Sequence, residues 1–221
     1  MRFNNFLNRL KAKRIYAIII IIIMLIVFAV SYIFVNIFRV KKPEAVFSEF
    51  MTNLSAQDFG SASALVHPDT RVDFETKLTE TIEKDSPEAL ILNKIFENTS
   101  YELVSQSSTA EDQALLRYSL DLPNIEAILT DIKDDMQADK IDTTDPELVR
   151  IGEDKVDMIL YYAYDNFDEY KNQKQTADIN VSFKKETAPI KDKWFIVSDQ
   201  ELIMKLSSNL EAVLNNLKSS L

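Results

Sequence analysis

The apolar residues of this chain form one long uninterrupted run, followed by shorter segments in which apolar and polar positions alternate regularly. The run extends from Ile15 to Phe38 and contains no charged residue, proline or glycine. As a helix it would measure roughly 36 Å at about 1.5 Å per residue, which exceeds the roughly 30 Å core of a bilayer. The pattern therefore predicts a transmembrane helix over Ile15–Phe38, with the lipid bilayer as a binding partner.

Basic residues flank this run on both sides, five before it and three after it. Because Lys and Arg near a span stay in the cytoplasm, we expect a single-pass protein of the cell membrane. Its N-terminus would be cytoplasmic and its C-terminal domain extracellular. The alternative is a cleaved signal peptide with Ala29 and Ser31 at the cleavage site. The anchor is favoured because the apolar run continues to Phe38, whereas a signal core has about 7–15 residues.

The predicted organisation has four parts. They are a basic tail at 1–14, the transmembrane helix at 15–38, a short linker at 39–43 and an extracytoplasmic domain at 44–221.

Seven segments of this domain show helical periodicity, with apolar residues spaced by three and four positions. They predict helices over 44–54, 55–66, 74–84, 86–96, 123–136, 147–170 and 201–217. The stretch 147–170 is predicted as the longest helix of the domain. The acid-rich stretch 133–146 is predicted as a surface loop.

Alternating apolar and polar residues predict strands at four places, and the segments lie at 101–106, 113–122, 178–185 and 193–198. Trp194 and Ile196 lie two positions apart on the last strand and should share the face that packs on the helices. Helices and strands in this order predict an α+β domain.

Charge and composition exclude several classes of function. The first 42 residues hold eight basic residues and no acid, so the other 17 basic residues and all 35 acids lie in 43–221, a net charge of −18. An acidic domain argues against a nucleic-acid partner. The chain has no cysteine, one histidine and two glycines. We therefore predict no transition-metal site, no nucleotide loop and no cofactor.

The ends of the domain resemble a known family. The helix Pro43–Leu54 is followed by Ser-Ala-Gln-Asp-Phe-Gly over 55–60, and the strand Ile179–Lys185 is followed by Lys-Asp-Lys-Trp-Phe-Ile-Val over 191–197. This pattern resembles the nuclear-transport-factor-2-like, cystatin-like cone found in single-pass extracytoplasmic proteins of Gram-positive bacteria. The resemblance implies a curved antiparallel sheet packed against several helices, and this family hosts enzymes, binding modules and scaffolds.

Each candidate for catalysis or metal binding also has a structural interpretation. His67 precedes Pro68 at a predicted helix end, where capping or exposure is favoured over general-base chemistry. Asp139, Asp142 and Asp145 recur every three residues but do not match a calcium loop, which favours a solvated acidic loop.

Tyrosines form the second group of candidates. Tyr161, Tyr162, Tyr164 and Tyr170 could line a pocket, although helix packing is favoured. Enzymes of the cone family use acid and tyrosine pairs, but Tyr118 and Asp121 fall on opposite faces of one strand. No catalytic, cofactor-binding or metal residue is therefore assigned.

Three functions remain open. We favour a membrane-anchored, non-catalytic binding or scaffold domain that contacts a membrane or cell-envelope protein, with the final helix, Glu201–Leu217, as the candidate contact surface. One version of this hypothesis is the bitopic assembly subunit of a conjugative type IV-like secretion system. The alternatives are a cone that binds a small molecule or lipid, and an enzyme of the isomerase or dehydratase type.

Overall fold

The structure of the chain is a computed structural model that describes residues 21–28, 30–31, 40–80, 86–151, 154–187 and 192–221. The chain divides into two units, residues 1–40 with 187–192 and residues 41–186 with 193–221. In the first unit, residues 21–28 and 30–31 are helical and exposed. All helices and strands labelled below belong to the second unit.

The predicted transmembrane helix over Ile15–Phe38 is wrong by the structural evidence. No helix of the described residues has both the length and the apolar composition needed to cross a membrane. Residues 15–20, 29 and 32–38 lie outside the described residues. The predictions of a single-pass fold and of a cell-membrane location with an extracellular domain depended on this helix and are wrong with it.

Ten α-helices and one π-helix occur in the described part of the second unit. They are α1 (Pro43–Ser55), α2 (Phe59–Ser63), α3 (Pro68–Glu75), the π-helix (Thr76–Glu80), α4 (Pro87–Glu97), α5 (Ile125–Gln137), α6 (Pro146–Ile151), α7 (Lys155–Asp165), α8 (Phe167–Tyr170), α9 (Gln200–Leu206) and α10 (Leu210–Ser220).

Local sequence explains where most of these helices begin. Proline occupies the first turn of α1, α3 and α4, where its missing N–H is not needed. Side-chain oxygens accept backbone N–H groups at other starts: Asp58 accepts from Ser61 at 3.0 Å, and Asn124 accepts from Ala127 at 3.2 Å.

Four strands form one antiparallel sheet in the order β1-β2-β3-β4: β1 (Ser100–Ala110), β2 (Gln113–Pro123), β3 (Lys174–Glu186) and β4 (Lys193–Val197). In the β2–β3 pair, Tyr118 lies opposite Ile179 and Leu116 lies opposite Val181. Every second side chain of β2 from Ala114 to Leu122 is buried. The alternation that predicted this strand therefore identifies its core face.

The core lies between this face of the sheet and the helices. Helix α1 contributes Phe47 and Phe50, both fully buried, and the ring of Phe47 stacks on Tyr118 with centroids 4.1 Å apart. Ile196 of β4 is also fully buried. The arrangement confirms an α+β domain in which helices pack on an antiparallel sheet.

The predicted single helix over 147–170 is wrong. The chain forms α6, α7 and α8 instead, and residues 152–153 lie outside the described residues. Asp154 is extended, with φ −138° and ψ −179°, and its carboxylate accepts the N–H groups of Val156 at 2.8 Å and Asp157 at 3.0 Å. This cap begins a new helix at Lys155.

The predicted helix over 201–217 is also interrupted, because α9 ends at Leu206 and α10 begins at Leu210. Ser208 and Asn209 adopt left-handed backbone conformations, with φ 53° and 54°. The buried hydroxyl of Ser208 donates to the carbonyl of Pro123 at 2.9 Å and accepts from Gln175 Nε2 at 2.6 Å. Contacts distant in sequence thus hold the break.

Two smaller predictions need correction. The predicted loop over 133–146 begins later, because α5 continues to Gln137. The predicted helix over 74–84 is described only to Glu80 and changes from α3 to a π-helix at Thr76, while residues 81–85 lie outside the described residues.

Trp194 and Ile196 test the last strand. Both pack toward the core as predicted, but Ile196 is fully buried whereas Trp194 is half-buried. We expect Ile196→Ala to lower the free energy of unfolding by about 2–5 kcal/mol. Trp194→Ala should also lower it, by about 2–4 kcal/mol, because most of the large ring leaves water on folding while part of it stays exposed. Urea denaturation followed by circular dichroism measures both, and a loss below about 1 kcal/mol for either variant would contradict this packing.

Candidate functional site

His67 is buried, with 3% of its surface exposed, at the N-terminus of α3. Its Nδ1 accepts the N–H of Asp69 at 3.3 Å, and its Nε2 lies 2.8 Å from Glu186 Oε1 without the alignment of a hydrogen bond. The Phe195 ring meets the imidazole edge-on. The predicted capping role is confirmed, and the alternative of an exposed histidine is wrong.

Tyr118 lies at the centre of the aromatic core, against Phe47 and Tyr101. Its hydroxyl is buried and has no hydrogen-bond partner among the described residues, and the same holds for Glu44 Oε2. Burial raises the pKa of Tyr118 far above its usual value, and the nearby negative charge of Glu44 adds to the shift. A phenol that keeps its proton can donate a hydrogen bond but is a poor base.

Asp121 lies away from this cluster, as the alternation of β2 predicts. Its carboxylate binds Lys174 Nζ at 2.9 Å. On the same outer face, Arg117 Nη2 lies 2.6 Å from Asp178 Oδ2. Both ion pairs join β2 to β3 on the side of the sheet opposite Tyr118. Tyr118 and Asp121 therefore do not act together.

The three spaced aspartates do not assemble a metal site. Asp139 has a left-handed backbone with φ 55°, and Asp142 accepts both the N–H of Thr144 at 2.9 Å and its hydroxyl at 2.6 Å. These two bonds lower the pKa of Asp142. No group of three or more His, Cys, Asp or Glu side chains within the described ranges could hold a metal ion.

The tyrosines of α7 and α8 serve packing. Tyr162, Tyr164 and Tyr170 lie partly buried against the core, and Lys94 Nζ lies 5.1 Å from the centre of the Tyr164 ring. Burial raises the pKa of Tyr170, with Tyr162 and nearby carboxylates adding to the shift. Neither cavity described below includes a tyrosine.

A groove of about 760 Å³ lies along the C-terminal helices α9 and α10, facing the π-helix and α4. Its floor is apolar, and Met204 is 43% exposed at its edge. Glu211 and Lys218 contribute charges of opposite sign. The apolar floor residues of the groove are Leu78, Leu92, Ile203, Leu210 and Leu214. The volume of the groove falls in the range of small-molecule sites.

A smaller cavity of about 340 Å³ lies between α5 and α7.

The first edge of the sheet, strand β1, is open. Every residue from Glu102 to Ala110 is exposed, including Leu103 at 39% and Val104 at 54%. Within the described sheet β1 pairs with β2 only. The N–H and C=O groups on its outer side therefore remain available to another strand.

The second edge of the sheet, strand β4, is covered in part. Ile196 donates its N–H to the carbonyl of Leu65 at 2.9 Å and accepts the N–H of His67 at 2.8 Å. Val66 thereby forms a parallel bridge to Ile196. The two edges differ, and β1 is the edge at which another chain can add.

No protein-family model and no curated protein sequence matches this chain.

Sequence reasoning placed a strand at 101–106 but missed its function as an open edge. The signal was present in Ser105-Gln-Ser-Ser-Thr109, where polar residues occupy both faces of the strand. A strand with two polar faces is not buried on either side. What the sequence could not show is that no described strand pairs with its outer side.

Replacing Tyr118 by phenylalanine tests the unpaired hydroxyl. Removing a buried polar atom without a partner should leave the free energy of unfolding at pH 7 unchanged or raise it by about 1–3 kcal/mol. Below pH about 10 the phenol is protonated in both the folded and unfolded states. As the pH rises further, the unfolded state releases this proton first, so the folded protein loses stability.

Tyr118→Phe should therefore lose less stability than the parent between pH 10 and 12, by about 1.4 kcal/mol per pH unit at most. Denaturation curves at each pH measure the effect, with Tyr161→Phe on α7 as the matched control. A loss of more than about 1 kcal/mol at pH 7 would instead show that the hydroxyl has a partner.

Proposed function

We propose that this protein is a non-catalytic interaction module that binds another polypeptide along β1. The observation that carries the proposal is the open edge from Glu102 to Ala110, exposed on both faces and paired on one side only. Strand addition to such an edge gives affinity through backbone hydrogen bonds and needs no prior cavity.

The positions of the catalytic candidates support binding over chemistry. His67 is buried and holds the 65–67 segment on β4, and Tyr118 keeps its proton in the core. Neither cavity includes either residue. An isomerase or dehydratase would need an acid or base that reaches a substrate. The strongly acidic composition also disfavours nucleic acid as the partner.

The nuclear-transport-factor-2-like, cystatin-like cone is part of this proposal. Two features support it: α1 packs its aromatic face on the sheet, and the four strands follow one another as antiparallel neighbours. This family includes enzymes as well as binding modules and scaffolds. The fold alone therefore does not decide the function, and the proposal rests on the open edge of β1.

Site-specific photo-crosslinking in cells tests the proposed edge. A photoreactive amino acid at Ser107 should form covalent adducts with a polypeptide, because that side chain lies on the open strand. The matched control places it at Asn180, which is exposed on the central strand β3. Mass spectrometry identifies the adducts. Equal yields at Ser107 and Asn180 would contradict binding at β1.

The groove beside α9 and α10 supports a second candidate function, the binding of a small apolar molecule. Its volume of about 760 Å³ and its apolar floor favour it. We expect the fluorescent probe 8-anilinonaphthalene-1-sulfonate to bind there. Ala212→Trp should fill the groove and weaken binding several-fold. The matched control is Asn216→Trp, on the same helix but outside the groove. Equal binding by both variants would contradict a site in the groove.

A further inference from the structure

We infer that the partner of β1 is a second copy of this chain, paired antiparallel to the first β1 across a two-fold axis. The inference rests on the proposed function, because it names the occupant of the same edge. It follows from the charges of β1, from the regularity of its central residues and from the self-complementary sequence of that centre.

Strand β1 lacks the charges that commonly protect an open edge. The eight residues from Leu103 to Ala110 carry no charge, and β1 contains neither lysine nor arginine. The other three described strands each contain a basic residue, such as Arg117 in β2, Lys184 in β3 and Lys193 in β4. Basic side chains, prolines and bulges are the usual features that prevent edge-to-edge pairing. Strand β1 has irregularities on both sides of its centre but no basic residue and no proline, so its central residues can pair with an identical strand without opposing like charges.

The register of β1 limits where this pairing can occur. Irregularities lie between Leu103 and Ser105 and between Ser108 and Ala110. Between them, Ser105–Ser108 pairs regularly with β2. Because a bulge bends and twists a strand, the regular run is the part that can take a further partner on its outer side. The two-fold axis therefore passes close to Gln106 and Ser107.

The residues around this axis are compatible with themselves. With the axis near Gln106, Ser105 of one copy faces Ser107 of the other. Hydroxyl pairs across antiparallel strands are weakly stabilising. A two-fold interface of this kind is closed, so it produces a dimer and not a filament.

The small contact area and the like charge of the two copies make the dimer weak. The regular segment is short, so the contact is smaller than that of a stable dimer. In addition, each copy carries a net charge of −10, so two copies repel at long range. Salt screens this repulsion. Dimerisation should therefore strengthen as salt is added, whereas binding of a basic peptide to the same edge would weaken.

Disulfide trapping tests the dimer, because the natural chain has no cysteine. Single cysteines are placed in the full chain at each position from 103 to 110, with Asn180→Cys on the central strand as the control. Facing residues of antiparallel strands have Cα atoms about 4.5–5.5 Å apart, within reach of a disulfide. Under mild oxidation, the crosslinked fraction should peak at Gln106→Cys or Ser107→Cys and fall several-fold toward both ends.

Sedimentation of the cysteine-free chain at rising salt gives the independent measurement. We expect the dimer fraction to rise with salt, and Ser107→Lys to reduce it relative to Asn180→Lys. Residues 21–28 are also apolar and exposed and could associate in their own way. Only the part of the dimer fraction that Ser107→Lys removes therefore counts as β1 pairing.

Three results would overturn the inference. They are crosslinking at β1 no greater than at Asn180→Cys, equal crosslinking at every β1 position, and a dimer fraction that falls with salt. If photo-crosslinking at Ser107 then yields a different polypeptide, the proposed interaction module stands and only the second copy is excluded. If it yields no adduct above the Asn180 control, both proposals fail.

Discussion

A β-sheet must satisfy the backbone hydrogen bonds of its edge strands, and this constraint shapes the second unit of the chain. At β4 the chain itself meets the constraint in part, because Ile196 donates its N–H to the carbonyl of Leu65 and accepts the N–H of His67. At β1 no described strand does so. The unit therefore has one partly covered edge and one open edge, and the proposed function and the proposed second copy both depend on the open edge.

The buried polar groups show a related division. His67 is almost fully buried, yet it caps α3, approaches Glu186 and holds the 65–67 segment in place. Tyr118 is buried as deeply, but its hydroxyl has no partner among the described residues. His67 stabilises the partly covered edge. The ring of Tyr118 stacks on Phe47, and this position leaves the tyrosine hydroxyl unpaired, which is unfavourable. Neither arrangement presents a reactive group to a substrate.

Local periodicity predicted the elements where short-range geometry decides them. Gln113–Leu122 alternates strictly, and β2 runs from Gln113 to Pro123 with its apolar side buried. The same logic predicted that Tyr118 and Asp121 point to opposite faces. It failed where periodicity continues across a break: α9 and α10 share one apolar pattern, yet Ser208 bonds Pro123 and divides them. It also predicted a membrane helix over Ile15–Phe38, which the described residues do not support.

The sequence alone determined the type of most helices and strands, the core face of β2 and the capping position of His67. These depend on residue identity and on spacings of two to four positions, which a chain carries locally. Only the tertiary structure decided which strand is an edge, where α9 ends and which polar atoms are buried without partners. Each of these depends on groups far apart in sequence, such as Ile196 with Leu65 and Ser208 with Pro123, and no local pattern encodes such a contact.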